Sequence, residues 1–217
     1  MAHSVSPTFP ATSDLAFTDE IVATLAPLMP IVDEVLALLD RVPMERRLHQ
    51  CLDGSWSSVE IITSDPNDPM QGHGTEWFDD LPSLLPLFEA FGGVIAHCTI
   101  ARLAPDDLLD WHYDPVSLDH DLSRLHLPVR SNPDAVTDFC DARVHWPEGR
   151  LFYGDYGFPH RVLNTGRTER IHLYFDVPSA DLRPLLPENL SGRHQIREMA
   201  VNRLLAWKSA SRATSAA

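Results

Sequence analysis

The sequence predicts a mainly-β fold, a sandwich, jelly roll or barrel, flanked by helices toward both ends of the chain. Three observations carry that prediction. Between Val94 and Val177, short runs rich in β-branched and aromatic residues recur at near-even spacing, with turn residues between them. Apolar residues at helical spacing occur outside that stretch. Eighteen prolines in 217 residues suit many short elements better than a helix bundle.

Taken in order, residues 1–14 are rich in Ser, Thr and Pro and read as a flexible tail. Thr18–Asp19–Glu20 has the acidic first turn of a helix start, and apolar residues follow at helical spacing to Leu39. Pro27 and Pro30 are expected to split or kink that helix. Trp56 to Ile62 reads as a strand. Residues 63–80 are rich in Pro, Asp, Gly and Asn and lack a period, which suggests a lid or a substrate-contacting loop. Leu81–Phe91 is a short helix closed by Gly92–Gly93. Val94–Leu103 is a strand, Ala104–Asp107 a turn, and a second extended run reaches His112. Further strands are expected at Leu125–Val129, Phe139–Trp146, Leu151–Tyr153, Arg161–Leu163 and Arg170–Val177. Pro178–Leu190 is irregular, Arg193–Trp207 has helical spacing, and residues 209–217 read as a frayed end. With no internal repeat, residues 15–208 form a single domain.

Composition narrows the function. The chain has 31 acidic against 17 basic residues, a formal charge of −14, which argues against a nucleic-acid partner. Three cysteines without C-x-x-C spacing exclude a disulfide framework and a cysteine-based zinc site, and fit a reducing cytoplasm. The N-terminus lacks the basic and apolar regions of an export signal, and no apolar run is long enough to cross a bilayer. The expectation is a cytoplasmic protein acting on a small molecule, with no membrane partner. Oligomeric state is not encoded in any pattern of the chain.

The chemistry is concentrated in Trp111–His112–Tyr113–Asp114 and Phe158–Pro159–His160. In an extended segment His112 and Asp114 project to one side, an imidazole and a carboxylate on the same corner. A distant second histidine completes two imidazoles and one carboxylate, the facial triad of non-haem Fe(II) sites. Ten residues beyond His160 stands Arg170, on the same strand face as His172. A guanidinium is the natural two-point partner of a carboxylate. Metal corner, second histidine and carboxylate clamp, in that order, describe an Fe(II)/2-oxoglutarate oxygenase.

Five blocks carry a resemblance: "HYD" at 112–114, "RLHLP" at 124–128, "WPEGRLFYGD" at 146–155, "HRVLN" at 160–164 and "RIHLYFD" at 170–176. In this order they resemble the aspartyl/asparaginyl β-hydroxylase branch of the Fe(II)/2-oxoglutarate oxygenases, which includes bacterial proline hydroxylases. The resemblance spans residues 95–177. It implies a double-stranded β-helix (jelly roll) core and Fe(II), 2-oxoglutarate and O₂ as the cofactor set. It also implies hydroxylation of an unactivated C–H of an amino acid or amino-acid-derived molecule, with release of succinate and CO₂. His112, Asp114 and His160 are then the metal ligands and Arg170 the anchor of the distal carboxylate, while by resemblance Arg124 and His126 border the co-substrate. Asp114 argues for hydroxylation over halogenation, which needs that ligand position open for halide.

Two rival readings remain at this point: an oxygenase acting on a peptide or protein residue, and a cupin-like metal-binding protein or isomerase without 2-oxoglutarate. His97, in an apolar strand, reads as a core histidine. His172 reads equally as a donor behind the site or a buried side chain, and Asn164 as the fixer of a turn. Trp111, Tyr113, Tyr153, Asp155 and Tyr156 are candidate pocket-lining groups.

Overall fold

The computed structural model describes residues 6–10, 18–20, 28–46, 56–117, 120–186 and 193–215. In chain order its elements are β1 (Thr18–Glu20), α1 (Met29–Leu39), β2 (Glu45–Arg46), β3 (Ser57–Ser64), β4 (Gly72–Gly74), α2 (Leu84–Glu89), β5 (His97–Leu103) and β6 (Asp107–His112). They continue with β7 (Leu122–Arg130), β8 (Ala135–Phe139), β9 (Ala142–Val144), β10 (Phe152–Gly154), β11 (His160–Asn164), β12 (Arg170–Pro178), α3 (Ser179–Leu182) and α4 (Arg193–Ser215). The strands form two antiparallel sheets, as the jelly-roll expectation requires. The larger has eight strands in the order β1-β10-β7-β12-β5-β3-β2, with β4 hydrogen-bonded to β3. The smaller has four, in the order β6-β11-β8-β9.

β12 shows why the sequence makes this sheet. Its odd-numbered residues Ile171, Leu173, Phe175 and Val177 are buried in the main apolar core. Its even-numbered residues Arg170, His172, Tyr174 and Asp176 line a cavity. The period of two is the strand's own geometry, with a dry face and a chemical face. β7 repeats it, with Leu125, Leu127 and Val129 in the core and Arg124 and His126 toward the cavity. β5 does the same with Cys98 and Ile100 against His97 and Thr99. Ile31, Val32, Val35 and Leu38 of α1, and Leu84, Leu87 and Phe88 of α2, join the same core. The helices thus cover the sheet's apolar face. Burial of one such Leu or Phe side chain is worth about 1.5–3 kcal/mol.

Several expectations are corrected. Thr18–Glu20 is a strand paired with β10, not a helix start. The helix begins at Met29, and Pro30 lies in its first turn, where a missing N–H costs nothing, so it starts the helix instead of kinking it. Pro27 lies outside the described residues. The 63–80 loop folds back on itself: β4 pairs with the end of β3 and a 3-10 turn follows at Phe78–Asp80, so of this segment only Ser64 lines the cavity. The expected Phe139–Trp146 strand is the hairpin of β8 and β9, turning at Cys140, whose φ is +52°. α4 continues to Ser215 instead of fraying at Ser209, whose hydroxyl donates to the Leu205 carbonyl. Within the expected flexible tail, Pro7 is buried and the Phe9 ring lies 4.8 Å from that of Trp111. Among the described residues, no helix is long and apolar enough to cross a membrane.

Candidate active site

β6 and β11 are neighbours in the small sheet, and their register sets His160 opposite His112. The two rings are 4.1 Å apart between centroids. Asp114 lies two residues past the end of β6, where its amide donates to the Tyr156 carbonyl at 2.9 Å. The strand therefore does not extend as far as Asp114, yet one ligand atom from each of His112, Asp114 and His160 lies within 4.8 Å of the others. His112 Nδ1 is 2.7 Å from the Asp110 carbonyl, and His160 Nδ1 is 2.9 Å from that of Phe158. A carbonyl only accepts, so both Nδ1 atoms carry the proton and both Nε2 lone pairs are free to ligate.

The electrostatics suit that role. Burial lowers His112 below the ordinary imidazole value. Burial, reinforced by the charge of His112, brings His160 down to about 3. Both rings are neutral near pH 7. Burial pushes Asp114 up, but Arg124, His160 and His112 together outweigh it and hold the carboxyl below its usual range. Two neutral imidazoles and one carboxylate are the donor set expected of an open Fe(II) site, and the residues present fit that ion.

The large sheet supplies the opposite wall. Arg170 is 6% exposed, and among the described residues no carboxylate pairs with it. Burial draws it down to about 10, still a cation at neutral pH. His126 and His172 lie within its field, both held well below the usual imidazole value, chiefly by burial. Their Nδ1 atoms are 3.3 Å apart, while both Nε2 atoms and the Tyr156 hydroxyl are buried without a hydrogen-bond partner among the described residues. If one neutral ring donates Nδ1–H to the other, the pair presents one N–H and one lone pair from its Nε2 atoms. A buried cation without a counter-charge is costly, and a carboxylate ligand relieves that cost.

Arg124 is placed differently. Its Nε and Nη2 donate to the two oxygens of Asp176 at 2.7 and 2.8 Å, and its Nη1 donates to Asp114 Oδ2 at 2.6 Å. The guanidinium lies over the Tyr174 ring, 4.5 Å from its centroid. It lines the same cavity as Arg170, but with carboxylates of the chain itself as its partners.

Metal cluster and arginines open on one cavity of about 440 Å³. Its remaining wall comes from β3 and β5, with Ser58, Glu60, His97 and Thr99, and from Trp56. His97 is thus a cavity residue, bonded to Thr99 at 2.7 Å, and not a core histidine. The sequence signal was its two-residue spacing from Thr99, out of phase with Cys98 and Ile100. His172 also lines the cavity. Of the aromatic and acidic candidates, Tyr156 reaches it, whereas Tyr113 is 42% exposed and Trp111, Tyr153 and Asp155 are buried elsewhere. Asn164 fixes its turn, donating to the carbonyls of Leu103, Ala104 and Thr168.

Comparison with known proteins decides the family. The profile of the aspartyl/asparaginyl β-hydroxylases matches residues 28–179, which contain every residue of the cavity. The chain belongs to the aspartyl/asparaginyl β-hydroxylase family. It is a 2-oxoglutarate-dependent dioxygenase, working with Fe(II), 2-oxoglutarate and O₂.

Solved structures similar to this family member include a 2OG-Fe(II) oxygenase-family oxidoreductase from Burkholderia pseudomallei, 18% identical over 67% of this chain and 78% of that one, TM-score 0.49. A Pseudomonas putida prolyl-4-hydroxylase is 17% identical over 74% and 90%, TM-score 0.47. A viral collagen prolyl hydroxylase from Paramecium bursaria Chlorella virus-1 is 14% identical over 76% and 98%, TM-score 0.44. At such distances nothing about substrate passes to this chain. A search of curated proteins returns no match.

Proposed function

We propose that this protein hydroxylates an unactivated C–H bond of an amino acid or amino-acid-derived small molecule. His112, Asp114 and His160 hold Fe(II), and Arg170 anchors the distal carboxylate of 2-oxoglutarate. When bound, iron and 2-oxoglutarate supply the oxidation, turning O₂ and 2-oxoglutarate into succinate, CO₂ and the oxygen inserted in the product. The chain's own part is placement. The His112 and His160 Nδ1–H bonds to backbone carbonyls leave both Nε2 atoms free as ligands in a cluster whose ligand atoms lie within 4.8 Å of one another. Arg170 offers a two-point fork from β12, with the Tyr156 hydroxyl and the His126–His172 pair beside it as neutral partners. Leu109, Val116 and Val162 give the cavity apolar surface for a substrate's carbon skeleton.

The observation that carries the reading is a buried arginine, without a carboxylate partner among the described residues, sharing one cavity with a two-histidine, one-carboxylate cluster. A cupin-like protein or isomerase working without 2-oxoglutarate has no use for that arginine. A cavity of about 440 Å³ is at the small end of ligand pockets and favours a small substrate over a protein segment. The test is incubation of the Fe(II)-loaded chain with 2-oxoglutarate and matched panels of free amino acids, their derivatives and short peptides, following succinate and product mass. A product heavier by one oxygen, formed with stoichiometric succinate from the first two panels, is expected. Turnover of peptides alone would move the substrate to a peptide residue, and no substrate-stimulated succinate from any panel would overturn the reading.

A further inference from the structure

Arg124 is expected from sequence to border the co-substrate, yet three of its five N–H groups are committed to carboxylates of the chain. Asp176 and Arg124 face each other directly across the β12–β7 ladder. The guanidinium docks edge-on, Nε to Oδ1 and Nη2 to Oδ2 of Asp176, while Tyr174 supports its face. A guanidinium is rigid and planar, so docking one edge fixes where the third nitrogen points. That nitrogen meets Asp114 Oδ2 at 2.6 Å. Asp114 stands in a loop beyond the end of β6, held there through its amide by Tyr156, and its side chain takes its hydrogen bond from Arg124.

We propose that Arg124, braced by Asp176, is a positioning residue for the metal ligand Asp114, fixing Oδ2 and leaving Oδ1 free to ligate. The inference rests on the metal-centre reading above. The brace carries the second half of the argument. Two carboxylates around one guanidinium leave a net negative charge, so Asp114 keeps its attraction for a divalent cation while being held. Without the Asp176 charge, Arg124 would neutralise Asp114, and without the two-point dock it would swing. The clamp also crosses the molecule, from the large sheet to a loop of the small one, and so sets where the metal sits relative to Arg170.

The test is Co(II) titration of the full-length chain without 2-oxoglutarate, followed by ligand-field absorption, with melting temperature and far-UV circular dichroism recorded for each variant. Partners that orient a metal ligand change metal affinity about 10- to 100-fold when removed. Asp176→Asn and Arg124→Lys are each expected to weaken Co(II) binding at least about tenfold and to alter its absorption bands, with the fold retained. Asp176→Glu keeps the charge but displaces the carboxylate, and is expected to leave the defect unrepaired. Arg124→Lys keeps the buried positive charge, so it still tests the clamp if Asp176→Asn does not fold. Parent-like binding in Asp176→Glu would reduce the brace to a charge effect and overturn positioning. Parent-like Co(II) titrations in both Asp176→Asn and Arg124→Lys, with Asp114→Ala defective, would overturn the clamp while leaving the metal centre standing. A raised 2-oxoglutarate KM in Arg124→Lys with unchanged Co(II) binding would return Arg124 to the co-substrate. If Asp114→Ala and His112→Ala also bind Co(II) like the parent, the metal-centre reading fails and the clamp falls with it.

Discussion

Arg124 and Arg170 project from neighbouring strands into one cavity, but their surroundings differ. Arg124 is compensated by Asp114 and Asp176, whereas Arg170 has no carboxylate partner among the described residues. If Arg170 binds the distal carboxylate, Arg170→Lys keeps the charge and loses the planar fork. A charge-assisted hydrogen bond is worth roughly 1.5–3 kcal/mol, so the 2-oxoglutarate KM should rise about ten- to hundredfold. Arg170→Ala should lose nearly all co-substrate binding with metal affinity little changed, and a titration overlaying the parent's would remove it from the site. Replacing His112, Asp114 or His160 by alanine should abolish coupled turnover while the melting temperature stays near the parent's; retained activity would strike that residue from the triad. That these four positions come together on one cavity was legible, because their residue types and order form a recognisable pattern within 60 residues. The engagement of Arg124 was not, since Asp176 lies 52 residues away and meets it only through strand register.

Elements were legible where they carry a period. β5, β7 and β12 alternate polar and apolar side chains, and each was placed to within a few residues. β1 was not, because three residues hold no period and its pairing partner β10 lies over 130 residues away. In the small sheet, ion pairs between segments nearer in sequence join the strands. Asp138 of β8 accepts from Arg143 of β9 at 2.6 and 2.9 Å and from Arg161 of β11 at 2.9 Å, tying three strands together. Arg161 in turn lies over the Trp111 ring of β6. Burial pushes the Asp138 carboxyl up, but its hydrogen bonds to Arg143 and Arg161 outweigh this and hold it below the ordinary value. A carboxyl depressed on folding adds stability that is present above its unfolded value, near 4, and is lost as pH falls through the folded value. Asp138→Asn should therefore cost about 1–2 kcal/mol in urea unfolding at pH 7, the low end because Arg143 is largely exposed. The gap from the parent should narrow steadily below about pH 4. A gap independent of pH would show that packing, not charge, is what the substitution removes.

Across the whole molecule, the two sheets divide the site between them. His112 and His160 belong to the small sheet, with Asp114 just beyond it, while Arg170, His126 and His172 belong to the large one. The strand-rich pattern announced a sandwich, jelly roll or barrel, but which strand joins which sheet depends on pairings between distant segments and leaves no local trace. The division has a thermodynamic consequence. If the co-substrate is held by metal at one end and Arg170 at the other, it ties the sheets together, and the unfolded chain offers no such pair of anchors. Ligand at one hundred times its Kd stabilises the folded state by about 2.7 kcal/mol. For a chain of this size each kcal/mol moves Tm by about 2–4 °C. Redox-inert Mn(II) with 2-oxoglutarate, under nitrogen, should thus raise Tm by about 5–11 °C beyond Mn(II) alone. Arg170→Ala should keep the shift caused by Mn(II) and lose the increment from 2-oxoglutarate. His160→Ala should lose both, because the metal end of the tie is gone. An increment that survives in Arg170→Ala would place the far carboxylate against another group, and the His126–His172 pair is the neighbour to substitute next.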